Sequence, residues 1–178
     1  MTAALNRFIS RSADRCKPFF QLLNTWKRFE WTEECASAFQ QLKEYISRPP
    51  IMSRPEVDKV LFAYITVAPH VVSIVLVRVD SGVQRPVYYV SKSLHEVEVH
   101  CLPLEKAILA IVHAMHKLPY YFQSHTVVVL TQLPLRSLLR SADYTGRIAN
   151  LVAEFAETPL EERVKKQIMD GKSIGAKS

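Results

Sequence analysis

Acidic residues are absent from a long internal stretch: between Lys59 and Val79 there is neither aspartate nor glutamate. Within it, "LFAYITVAPHVVSIVLVRVDSG", Leu61 to Gly82, reads as two strands and a tight turn, and Asp80 at the turn is its first acid. Glycine is scarce, four in 178 residues, and there is no low-complexity tract, which argues against extensive disorder. Cys16, Cys35 and Cys101 are odd in number, widely spaced and form no CxxC pair. That excludes a disulfide framework and fits reduced thiols. No apolar run is long enough to cross a bilayer, and the first residues lack the order of a secretory signal. These absences predict a soluble intracellular protein with no membrane partner.

Hydrophobic residues make up 48% of the chain, enough for one domain with a real core and an accessory segment. The formal charge of +6 is unevenly spread. Arg7, Arg11, Arg15, Lys17, Lys27 and Arg28 face only Asp14 in the first 28 residues. Such a segment is drawn to phosphate backbones without reading sequence, although a solvated helical face accounts for the same residues. His113 and His116 are three apart on an apolar helix and lack the carboxylate or thiolate partners of a zinc site, so they read as helix surface.

Along the chain, Leu5, Phe8 and Ile9, then Phe19 to Leu23, predict two short helices, with Pro18 in the first turn of the second. Thr32 is a good N-cap, followed by Glu33 and Glu34. Cys35, Phe39, Leu42 and Ile46 form a helical stripe that Arg48-Pro49-Pro50 ends. Val60 to Val67, Val71 to Val79 and Val87 to Ser91 predict a three-stranded antiparallel meander. Leu104, Ala107, Ile108, Ile111, Met115 and Leu118 predict a largely buried helix opened by Pro103. "HTVVVLTQ" predicts a fourth strand and "PLRSLL" the start of another helix. The predicted class is α/β, a mixed sheet with helices on its faces.

Four ordered segments carry a resemblance: "LNRFISRSADRCKPFFQLL", "FEWTEECASAFQQLKEYISRPPIM", "PVYYVSKSLHEVEVHCLPLEKAILAIVHAMHKLPYYF" and "VVVLTQLPLRSLL". Together they resemble the Pol polyprotein of gypsy-type LTR retrotransposons, in its plant Tat/Ogre-like form, from the end of the reverse transcriptase into its ribonuclease H. The resemblance implies a helical thumb/tether segment over residues 1–50, a truncated ribonuclease H-like domain over 58–156 and a polar linker-like tail over 157–178. It implies no polymerase activity within this stretch, which holds no pair of adjacent aspartates for a palm.

The family's ribonuclease H cleaves the RNA strand of a hybrid with two Mg²⁺ ions about 4 Å apart, held by a cluster of carboxylates. By resemblance, the first-strand aspartate falls at Thr66, the fourth-strand aspartate at Gln132 and the last-helix aspartate near Asn150. Glu105 matches the helix glutamate and is the only family carboxylate retained. It also reads as a first-turn glutamate favoured by the helix dipole. Between Gly146-Arg147-Ile148 and "NLVAEFAE" the family's fifth strand is missing, which predicts "TVVVL" as an open edge prone to self-association. One carboxylate of four does not hold two dications, so no cofactor is expected.

Three functions follow. The first is a non-catalytic connection module with weak affinity for RNA:DNA hybrid or template-primer, acting beside neighbouring Pol domains. The second is an active hybrid ribonuclease using other acids, for which Asp80, Asp143 and Glu154 are the candidates. The third is a truncated relic with no role.

Overall fold

The computed structural model describes residues 6–24, 30–48, 51–56, 59–135, 149, 153 and 168–170. A 3-10 turn, Asn6–Phe8, leads through Arg11, in the left-handed region at φ 53°, into α1 (Ser12–Arg15) and α2 (Lys17–Asn24). Helix α3 spans Glu33–Ser47, and the Thr32 side chain accepts from the Cys35 N–H at 3.3 Å, the cap expected from sequence. Its predicted stripe is only half buried: Cys35 and Leu42 are inside, whereas Phe39 and Ile46 stay exposed.

Strands β1 (Leu61–Val67), β2 (Val71–Asp80) and β3 (Val83–Ser93) form the antiparallel meander. Asp80 pairs with Val83 across a two-residue loop, and Ser81 and Gly82 both have positive φ, 49° and 82°. That conformation matches the strand twist and suits glycine. After a short helix α4 (Glu96–Val99) comes α5 (Pro103–Lys117), with Pro103 at its first turn. Helix α6 (Pro119–Ser124) leads into β4 (Val127–Thr131), which pairs parallel with β1.

Helix α5 lies on the sheet. Ala107, Ile108, Ile111 and Met115 interlock with Leu61, Ala63, Ile74 and Leu76 in the main core, closed by Phe122 and Val129. Alternate β1 residues face this core, as a half-buried strand requires. A second, smaller cluster joins Ile9, Cys16 and Leu42, with Phe19 and Tyr45 against it. It docks on β3, where the Ala13 N–H donates to Ser91 Oγ at 3.2 Å.

The expected open fourth strand is corrected. Ile168–Asp170 forms β5, parallel to β4, with Val129, Leu130 and Thr131 opposite Ile168, Met169 and Asp170. The sheet order is therefore β3-β2-β1-β4-β5. The place beside β4 is filled by chain from the segment read as a polar tail, so the outer half of β4 is not free to pair with a second copy. Gly146 to Ile148 lie outside the described residues, as do most of the helix predicted from "PLRSLL" and of "NLVAEFAE". No helix among the described residues is long and apolar enough to cross a membrane, and the three cysteines are free thiols.

Candidate functional site

A cleft of about 950 Å³ opens where the carboxyl ends of β1 and β4 meet the start of α5. Tyr64 to Pro69 form one wall, Leu130 to Leu133 another, and Pro103 and Lys106 the helix side. Parallel pairing of β1 and β4 sends both strands out at the same end, which is how Thr66 and Gln132 come to line one cavity. Both are exposed, and both are neutral. Thr131, buried beside them, accepts the Leu133 N–H on its hydroxyl at 3.1 Å and so turns the chain at the strand end.

Glu105 is not among the residues lining this cleft. Its carboxylate reaches back to the Leu102 N–H at 2.7 Å and closes the first turn of α5. The charged helix side chain that does line the cleft is its neighbour Lys106, 6% exposed, whose Nζ donates to the Pro69 carbonyl at 2.9 Å. Sequence reasoning missed Lys106. An isolated lysine on an amphipathic helix ordinarily faces water, and the turn of about 100° between successive helical residues decides which of the two charged neighbours points inward.

Among the described residues no group of three or more His, Cys, Asp or Glu is placed to hold a metal. Among the described residues the cleft supplies neutral polar side chains, Tyr64, Thr66, Thr131 and Gln132, and an ammonium beside the positive end of a helix, and this donor set does not fit a pair of hard dications. The β4–β5 pairing does bring one acidic residue, Asp170, into register beside Thr131. Asp80 sits at the opposite end of the sheet, paired with Arg78 and Arg85. The backbones of Asn150, Asp143 and Glu154 lie outside the described residues.

The basic segment is largely engaged within the fold. The Arg7 guanidinium lies 4.9 Å from the Phe8 ring centroid and 5.3 Å from that of Tyr88. Arg15 lies 4.6 Å from the Tyr45 centroid, and its Nε donates to the Ser10 carbonyl. Arg11 pairs with Asp14 at 2.6 Å, and Arg11 and Arg15 share a groove with Glu33 and Glu34. Lys17 opens α2, half-buried. Lys27 and Arg28 lie outside the described residues. His113 is half-buried on α5; burial, then Lys92, Lys117 and His116, hold its imidazole below the ordinary pKa. Those nearby cations would oppose a metal there.

The family described as "RNase H-like domain found in reverse transcriptase" matches residues 31–129, more than half the chain. The chain belongs to this family. The match takes in α3 as well as the sheet. The chain is 28% identical over 152 residues to the Retrovirus-related Pol polyprotein from transposon 412 of Drosophila melanogaster, covering 85% of this chain and 12% of that protein. It is 26% identical over 152 residues to the Gag-Pol polyprotein of woolly monkey sarcoma virus, covering 85% and 9%. The chain thus spans about a tenth of the curated relatives it matches. In fold it is similar to the foamy viral protease-reverse transcriptase dRH in complex with double-stranded DNA, with a TM-score of 0.77 at 17% identity, covering 97% of this chain and 30% of that one. The foamy viral protease-reverse transcriptase in complex with RNA/DNA hybrid gives 0.76 at 16%, covering 98% and 24%. The family member described here therefore carries the ribonuclease H-like architecture, with Lys106 in its strand-end cleft.

Proposed function

We propose that this family member is a non-catalytic connection module of a gypsy-type, plant Tat/Ogre-like Pol polyprotein, one that helps hold polymerase and nuclease domains on a nucleic-acid duplex. The observation that carries the proposal is the strand-end cleft, where Thr66, Gln132 and the buried ammonium of Lys106 stand in place of a carboxylate cluster. In-line hydrolysis with two Mg²⁺ ions needs several anionic oxygens around the metals, and these side chains supply none. Duplex affinity is supported by the structural neighbours, which are complexes with double-stranded DNA and with RNA/DNA hybrid, and by the excess of cations in the first segment, where Arg11 stays about half exposed although engaged within the fold.

The test is binding of the 178-residue chain to an RNA:DNA hybrid across a salt series, with cleavage followed in Mg²⁺ and in Mn²⁺. Binding without cleavage is expected. Neutralising Arg7, Arg11 and Arg15 together should flatten the dependence of log K on log salt, by as much as about two to three if all three meet phosphates. A second reading, an active hybrid ribonuclease, is favoured by the register of Asp170 beside Thr131. Cleavage that Glu105→Gln or Asp170→Asn abolishes would install that reading in place of the first.

A further inference from the structure

Lys106 is the only charged residue among the described ones that is fully buried. Its ammonium has three donors, and its one described hydrogen bond goes to a neutral carbonyl, Pro69 O. The ion pairs among the described residues join Arg11, Arg78, Arg85 and Lys92 to acids, and none includes Lys106. A buried charge in this state is costly unless a counter-charge completes its shell. Among the described residues no acid lines the cleft. Its volume is far greater than one small ion needs, and Tyr64, Leu130 and Leu133 give it apolar flanks beside the polar Thr66 and Gln132.

We infer that the strand-end cleft is an anion subsite that takes a backbone phosphate of bound nucleic acid, with Lys106 as the fixed positive partner. The inference rests on the nucleic-acid reading above and names where that duplex is gripped. An entering phosphate supplies both the missing acceptors and the missing charge, as a charge-assisted contact to Nζ. The flanking Tyr64 and leucines suit the sugar and base that a polymer brings and a free phosphate does not.

The experiment is hybrid binding by fluorescence anisotropy across a salt series for the wild type, Lys106→Gln, Lys106→Arg and Gln132→Glu, with thermal melting as the check on folding. Removing one phosphate contact should lower the salt slope by about one in Lys106→Gln. Affinity should fall about tenfold at low salt and be held by Lys106→Arg, which keeps the charge. Gln132→Glu, an exposed change at the cleft mouth, should weaken binding several-fold with melting unchanged. A folded Lys106→Gln with wild-type affinity and slope overturns the inference while leaving the nucleic-acid reading standing. If Lys106→Gln does not fold, Gln132→Glu decides: unchanged affinity overturns the inference and weakened affinity supports it. Should the wild type bind no hybrid at low salt, the reading above fails and the backbone-phosphate assignment falls with it. Inorganic pyrophosphate then serves as the probe: a thermal shift in the wild type that Gln132→Glu weakens keeps the anion subsite, and no shift in the wild type removes it too.

Discussion

The two ends of the sheet each hold a cation largely withdrawn from water, and the protein treats them differently. At the end where β2 turns into β3, the Arg78 side chain is 14% exposed and has its charge paired by its own chain, although its Nε has no hydrogen-bond partner among the described residues. It donates to the Arg54 carbonyl at 2.7 Å and pairs with Glu56 at 2.8 Å and with Asp80. At the opposite end Lys106 is more deeply buried and meets one carbonyl. Charge at the first end is closed on itself and serves the fold. At the second end it is available to something from outside, and that end is the one where the strand termini leave an opening.

Substitutions can sharpen or break this contrast. The largest effect is expected at the closed end, where Arg78→Met leaves Glu56 and the Arg54 carbonyl without this partner and Asp80 with only the more distant Arg85. It should cost about 2 to 3 kcal/mol in urea unfolding, less than a fully buried pair because Glu56 is half exposed. Next is Lys92, a cation at the cleft end that does have a partner, Glu98, at 2.6 Å. Burial pushes the Glu98 carboxyl up. The Lys92 hydrogen bond, the His95 N–H and the charges of Lys92 and His95 outweigh it and leave the group below its ordinary 4.5. The pair therefore contributes fully above pH 4.5, and the contribution is lost as pH falls through the lower folded value. Lys92→Met should cost about 1 kcal/mol at neutral pH, with the gap to the wild type closing in acid melts. The smallest effect is expected at Lys106→Met, within about 1 kcal/mol of the wild type or on the stabilising side, since an apolar chain replaces a buried charge with no acid beside it among the described residues. A loss at Lys106 as large as that at Arg78 would erase the contrast.

Much of this fold was legible in the sequence because local chemistry and burial agreed. Thr32 and the acids after it mark the start of α3, alternating β-branched residues mark β1 and β2, and the period of Leu104 to Leu118 marks α5. Helix α6 escaped notice because six residues carry too little periodicity, and β5 because three residues in a polar stretch show no alternation. At the site, Thr66 and Gln132 line one cleft, because a strand's residues are fixed by register. Glu105 closes the first turn of its helix, as its first-turn position suggests, whereas Lys106 was not foreseen in the cleft, because on a helix the inward direction depends on how the whole cylinder seats against the sheet.

The β4–β5 pairing joins stretches far apart along the chain, so it raises contact order and should form late, after the β1–β3 meander and α5 have met. Limited proteolysis between the two strands would then leave the core standing while freeing the Val129 to Thr131 side of β4. Susceptibility to nicking and the tendency to clump would be governed by the same three residue pairs.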